Sequence, residues 1–256
     1  MIDAYYLADL AKSAGIDRYT ILREYIQLLF LDELYQSRTA AKIIFKGGTA
    51  LKMLFNSPRF SEDLDFTTNL NRSKIDDLVN QTIVNINHEA PGIIVKDIKS
   101  VAGISKKIFS PTEISPMPLT IKLDFSQREP ALTDYQNTLN TNLPVFPQSL
   151  IHSLTPEEIL AEKIRAILTR NKGRDIYDLW FLIKTGVQFN QKLILSKFRI
   201  YQEKFDPQSL IEKIKKFDQK QLEQDVKKFL PLKNRQIIPQ LKKIILAELA
   251  GVLKIN

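Results

Sequence analysis

The stretch "FKGGTALKMLFNSPRFSEDLDF", Phe45 to Phe66, decides how the chain reads. Two glycines interrupt an apolar run, and two aspartates further on flank a single leucine. Neither feature helps a core to form. Glycine weakens a strand or helix interior, and a carboxylate pair taken out of water is costly unless a cation lies with it. In a strand, residues i and i+2 share a face, so "EDLDF" sets Asp63 and Asp65 on one side and Leu64 and Phe66 on the other. Two like charges about 4 Å apart repel by roughly 1 kcal/mol in water and about 4 kcal/mol at an effective dielectric of about 20. A divalent cation turns that penalty into a binding site. Magnesium suits the donors, being a hard ion that takes one or two carboxylates together with substrate phosphates.

Working back from the aspartates, "AKIIFKGG" is a short β-rich run ended by glycines, and "TALKMLF" restarts as a helix. Gly47 and Gly48 thus lie at a strand-to-helix turn, where bare backbone N–H groups can approach phosphate oxygens and the positive end of the helix favours an anion. Thr49 adds a hydroxyl, and Lys46, Arg59 and Ser61 are close enough in sequence to contact the same triphosphate. A Gly-Gly turn alone also reads as plain structure, and so does Asp-Leu-Asp alone; their combination points to chemistry. A third carboxylate, Asp124, ends the strand-like "TIKLDFS" between Leu123 and Phe125. If that strand neighbours the first, Asp63, Asp65 and Asp124 converge. Three carboxylates can hold two metals about 3.5–4 Å apart, one activating an attacking hydroxyl and one on the leaving phosphate.

The rest of the chain supplies the frame. Residues 3–36 read as helical, with Ile21, Tyr25, Leu28, Leu29 and Asp32 forming one inward stripe. "RSKIDDLVNQTIVNINHEA" is a helix that stops before Pro91-Gly92. "GIIVKDIKSV" and "PLTIKLDFS" read as strands separated by turn-rich sequence, and residues 126–154, with Pro130, Pro144 and Pro147, as a loop or connector. "TPEEILAEKIRAILTR" opens with Thr155 as N-cap, Pro156 at the first helical position and Glu158 three residues after the cap, a capping box. "GRDIYDLWFLIKTG" follows with Ile176, Leu179, Trp180 and Ile183 on one stripe and Gly186 closing it; "SLIEKIKKF", "QLEQDVKKFL" and "IIPQLKKIILAELAGVL" are helical. Strands early and helices late predict an α+β fold, with a mixed-sheet domain flanked by helices over 1–150 and a helical domain over 151–256.

Composition narrows the chemistry. The chain has 256 residues, is 44% hydrophobic and contains no cysteine, which excludes disulfides, thiolate metal sites and cysteine nucleophiles. The N-terminal "MIDAYYLADLAKSAG" lacks the basic flank and apolar region of a signal peptide. Apolar runs such as "YIQLLFLDELY" are broken by charge well short of the ~20 residues of a membrane span. A cytoplasmic protein with no membrane contact is expected. Residues 1–191 hold 22 Lys and Arg against 22 Asp and Glu, so the whole net charge of +8 falls in 192–256. That segment either meets a polyanion or presents a solvated lysine-rich face. His88 and His152 have no partner at ligand spacing and read as structural.

"KGGTAL" followed by "DLDF" resembles the glycine-rich and paired-aspartate motif of the DNA polymerase β-type nucleotidyltransferases. The fuller pattern, with "EEILAEKIRAIL" and "RDIYDLW" downstream, resembles the AbiEii/AbiGii toxin family of nucleotidyltransferases, which includes the MenT-like toxins. The likeness runs from Ile43 to Trp180. It implies a nucleotidyltransferase-like fold and a Mg2+-dependent enzyme that transfers a nucleoside monophosphate from an NTP to an acceptor hydroxyl. The acceptor it implies is the 3′ end of tRNA, in a toxin–antitoxin system of phage-defence type with a separate antitoxin. By the same resemblance Gly47, Gly48 and Thr49 hold the nucleotide phosphates, Asp63 and Asp65 bind magnesium, Asp124 matches a third acidic position that varies in the superfamily, and Lys163 and Asp175 are needed for activity. The residues themselves leave Lys163, on the border of an apolar helix face, open to reaching a buried phosphate or to snorkelling over the core edge. Asp175 is open to capping its helix or holding Lys163 or Arg170. Two rivals share the fold: transfer to a protein or small molecule, and nucleotide binding without turnover.

Overall fold

The computed structural model describes residues 2–100 and 103–253. They divide into two units, the first ending at Leu154 and the second starting at Thr155.

In the first unit, α1 (Ala4–Ala14) is capped by Asp3 and ends at Gly15, whose φ of 66° is left-handed; α2 (Arg18–Leu34) restarts under its own cap, Asp17. The helical stretch expected over 3–36 is therefore two helices, broken where a glycine C-cap and a fresh N-cap coincide. Nor does α2 bury one stripe. Leu22, Ile26, Phe30 and Leu31 are buried beside Ile21, Tyr25, Leu28 and Leu29, so the helix is enclosed on every side.

The sheet has seven strands in the order β3-β4-β5-β2-β1-β7-β6. They are β1 (Ile43–Lys46), β2 (Leu64–Thr68), β3 (Ile94–Ile98), β4 (Gly103–Ser110), β5 (Leu119–Ser126), β6 (Tyr135–Thr138) and β7 (Leu150–Ser153). Pairing is antiparallel except β1 with β7 and β2 with β5. Three strands lie where sequence predicted turns or connectors. In β4 the signal is hidden by Lys106, which is buried only because Asp76 and Asp97 each take its ammonium at 2.7 Å. In β6 and β7 it is hidden by polar four-residue runs between prolines.

Register matters more than strand count. Phe45, Phe66, Phe125 and Ile104 are in-register neighbours across β1, β2, β5 and β4. The three rings pack with centroids 5.4 and 4.9 Å apart and no exposed surface. The adjacent in-register row is Lys46, Asp65, Asp124 and Ser105. Strand side chains alternate, so this row points to the opposite face. A slip of one residue would exchange the two rows, exposing rings worth about 1.5–3 kcal/mol each on burial and burying carboxylates. The aromatic core thus fixes where the acidic residues stand. Before β2, α3 (Gly47–Phe55) follows β1 with no linker, and α4 (Arg72–Ile86) follows β2.

The second unit is helical: α5 (Pro156–Thr169), α6 (Gly173–Lys184), α7 (Gln191–Ile200), α8 (Pro207–Lys216), α9 (Gln219–Lys227) and α10 (Leu241–Leu253). Thr155 accepts the Glu158 N–H as cap of α5, with Pro156 at the first position. The Glu158 side chain is wholly buried and pairs with Lys197 at 2.7 Å, which also reaches Glu162 at 3.0 Å. Mixed sheet first and helices second is the α+β arrangement expected. Among the described residues no helix is long and apolar enough to cross a membrane.

Candidate active site

The candidate site of the first unit is built around the β1–α3 junction. Gly47 has φ +81°, a left-handed conformation, and a Cβ there would stand 2.5 Å from Asp65 Oδ2. Only glycine lets the first residue of the helix lie flat against that carboxylate. A Cβ on Gly48 would collide with the Arg59 guanidinium and lie 3.1 Å from Ser61 Oγ. Lys46, Gly47, Gly48, Arg59, Ser61 and Asp65 are therefore brought together as one cluster. Arg59 is only 2% exposed and donates from Nη1 to the Phe60 carbonyl at 2.9 Å. Thr49 Oγ1 donates to the Asp63 carbonyl, and Gln27 of α2 donates from Nε2 to the Ser61 and Glu62 carbonyls at 3.2 and 3.0 Å. The enclosed helix thus clamps the loop that carries Arg59 to Asp63. The N-cap residue of α3, Lys46, makes no side-chain cap bond, and the partial positive charge of the helix N-terminus lies beside this cluster. Lys46 is buried with its ammonium 3.4 Å from Glu129, a partner that lies in the supposed connector.

Strand pairing seats Asp65 directly beside Asp124; Asp63, expected within the strand, lies just before β2 begins at Leu64, and its charge is felt at Lys122. Asp124 accepts from Ser105 Oγ at 3.1 Å and from Lys122 Nζ at 2.6 Å. Partial burial pulls the Lys122 ammonium down; its hydrogen bond to Asp124 and the charges of Asp124, Asp65 and Asp63 outweigh this and hold it above its usual range. Among the described residues, no group of three or more His, Cys, Asp or Glu is placed to hold a metal ion. The donors are nonetheless all hard oxygens, and Asp65 and Asp124 are neighbours in register. They fit a small divalent ion that takes two carboxylates and completes its shell with water or phosphate oxygens. Lys122 escaped the sequence reading, although "KLD" gives the same two-residue spacing that revealed Asp63 and Asp65.

Gly47→Ala is expected to force both a strained backbone, at about 1–2 kcal/mol, and displacement of the Asp65 carboxylate. Transfer activity should fall by roughly 10²-fold, the effect of an ångström-scale misplacement, with the melting temperature much less affected. Steady-state kinetics alongside thermal melting checks this.

In the second unit, Lys163 on α5 is buried and its ammonium lies 2.7 Å from Asp178 and 3.2 Å from Asp175 of α6. Arg170 closes on Asp175 with two bonds, Nε to Oδ2 at 2.7 Å and Nη2 to Oδ1 at 2.8 Å. Asp175 thus holds both Lys163 and Arg170. Burial would raise its carboxyl, but the Lys163 and Arg170 charges and bonds outweigh burial and bring it down to about 2. The folded value lies below the ordinary value near 3.9, so the stabilisation is present above about pH 4 and is lost as pH falls through about 2. Acid unfolding followed by circular dichroism should therefore begin below pH 4, and Asp175→Asn should remove part of that pH dependence.

Residues 29–239 match the family described as nucleotidyl transferase AbiEii toxin, type IV toxin–antitoxin system. The chain belongs to the AbiEii nucleotidyltransferase toxin family. Of solved structures, it is similar to MenT4, a nucleotidyltransferase toxin from Mycobacterium tuberculosis, with 17% identity, a TM-score of 0.67, and 100% of this chain and 91% of that one covered. It is also similar to JHP933 from Helicobacter pylori, with 21% identity, a TM-score of 0.56, and 93% and 95% covered. At these identities the likeness shows the fold alone. No curated protein sequence matches. As an AbiEii family toxin, the chain is a nucleotidyltransferase; the family uses an NTP and a divalent metal and works against an antitoxin.

Proposed function

We propose that this AbiEii toxin transfers a nucleoside monophosphate from an NTP to the 3′-terminal hydroxyl of tRNA, with magnesium as its metal. The observation that carries the reading is the Asp65–Asp124 register beside the Gly47–Gly48 turn. It sets carboxylates against the N-terminus of α3, where a metal-bound triphosphate fits. A divalent ion held by Asp63, Asp65 and Asp124 would lower the pKa of the attacking hydroxyl and neutralise charge on the leaving pyrophosphate. The protein's own groups do the rest. The α3 amides, that of Thr49 among them, cradle phosphate oxygens, and the Thr49 hydroxyl ties the Asp63 backbone to α3; Arg59 and Ser61, held over Gly48, fix the chain of phosphates for in-line attack. By the family likeness Lys163 is needed for activity, and Asp175 and Asp178 orient its ammonium.

RNA as acceptor is favoured by where the charge lies. Lys192, Lys204, Lys215, Lys216 and Lys220 are all exposed on the helical unit, a phosphate-backbone footprint whose affinity falls with salt. The proposed setting is the cytoplasm, in a phage-defence type of toxin–antitoxin pair. Incubating the protein with Mg2+, each labelled NTP in turn, total RNA and total cell protein tests the acceptor. The expected result is label on tRNA-sized RNA; label on protein or on a metabolite instead would replace tRNA by that acceptor.

A further inference from the structure

Lys122 stands where the mechanism has no use for it. Its side chain is about one-third exposed and its ammonium lies 2.6 Å from Asp124 Oδ2, on the carboxylate face of β5. Strand alternation puts Lys122 and Asp124 on one side, and the β2–β5 register brings Asp65 beside Asp124. Ser105 takes the other Asp124 oxygen at 3.1 Å. Both oxygens of that carboxylate are therefore engaged by this chain's own donors.

We infer that Lys122 is the resting counter-cation of the carboxylate cluster, occupying the Asp124 side of the site and having to leave it before a metal can be ligated there. The inference rests on the metal-site reading given above and adds an order of events to it. Formally, three carboxylates carry −3 and Lys122 reduces this to −2, the charge that one divalent ion balances. Without Lys122, the cluster is a stronger cation trap and carries unrelieved repulsion. With it, the resting protein stays assembled and takes its full metal complement only when phosphate oxygens arrive to receive the displaced ammonium. Lys122 is thus a positioning residue that sets metal affinity and couples it to nucleotide.

The test uses Mn2+ as a spectroscopic stand-in, titrated into the full chain without nucleotide and followed by electron paramagnetic resonance. Lys122→Met should bind Mn2+ at least about tenfold more tightly than the unaltered protein, since one nearby positive charge is gone. Lys122→Arg, which keeps the charge, should stay close to the original affinity, and Lys122→Met with Asp124→Asn should fall back towards it. The Arg variant guards against misfolding, because loss of structure would weaken binding in the Met variant rather than tighten it. Equal or weaker Mn2+ binding by Lys122→Met overturns the inference while leaving the metal site in place. Absence of Asp65-dependent Mn2+ binding in every form overturns the metal site and this inference together.

Discussion

Asp65→Asn abolishes nucleotidyl transfer without unfolding the protein. Asparagine is nearly isosteric, so the β2–β5 register, held by Phe45, Phe66 and Phe125 on the opposite face, stays intact. What goes is the anionic oxygen that lies against Gly47 and beside Asp124. Metal-assisted stabilisation of developing phosphate charge is worth several kcal/mol, and each 1.36 kcal/mol is a factor of ten in rate. The expected loss is therefore about 10³-fold or more. The melting temperature should not fall, because the substitution relieves repulsion among like charges. Growth arrest on expression should disappear with the activity. A variant that stays toxic and still transfers nucleotide would detach catalysis from this carboxylate; one that stays toxic without transfer would favour nucleotide binding without turnover.

Lys163→Met will have the largest effect on stability. The side chain is 9% exposed, and its partners Asp175 and Asp178 are 2% and 0% exposed. Arg170 remains on Asp175, but Asp178 loses its 2.7 Å ammonium contact in the interior. Removing one member of a buried ion pair costs about 3–5 kcal/mol, which corresponds to a melting-temperature drop of roughly 10 °C for a chain of this size. Pairing the change with Asp178→Asn removes the buried charge that has lost its ammonium contact and should recover part of that loss. Activity separates the two roles. If the ammonium acts on substrate, the double variant is refolded but still inactive; recovery of activity with stability would make Lys163 purely structural.

The two ends of the chain were unequally legible. "FKGGTALKMLF" and "EDLDF" announced β1, α3 and β2 because glycine, period-2 alternation and carboxylates each carry a physical cost that needs a reason. Thr155, Pro156 and Glu158 announced α5 through capping chemistry, and Gly186 marked the end of α6. The α+β class followed from element order. What stayed hidden was non-local. Lys106 looks like turn chemistry until Asp76 and Asp97 close on it across elements. β7 is four residues long and owes its place to parallel pairing with β1, which no local pattern encodes. The many-sided burial of α2 depends on how the sheet and α4 enclose it. In the site, the neighbourhood of Asp65 and Asp124 is a matter of strand order, stated from sequence only as a condition. Lys122 was readable by the same spacing rule as the aspartates, but a lysine two residues from an aspartate ordinarily reads as solvated surface. Asp178 shares a face with Asp175 by helical spacing and reads equally as an i,i+4 partner of Arg174, but nothing local pairs it with Lys163, to which it is the nearest carboxylate.

The most direct measurement compares two labels on the same nucleotide. The protein is incubated with magnesium, tRNA and an NTP labelled at either the α- or the γ-phosphate, and both the RNA and the released products are resolved. The account predicts that α-label enters the RNA at its 3′ end while γ-label leaves as pyrophosphate, with both signals lost in Asp65→Asn. Entry of γ-label into any acceptor, with α-label remaining on free nucleoside diphosphate, would mean phosphoryl rather than nucleotidyl transfer and would contradict it.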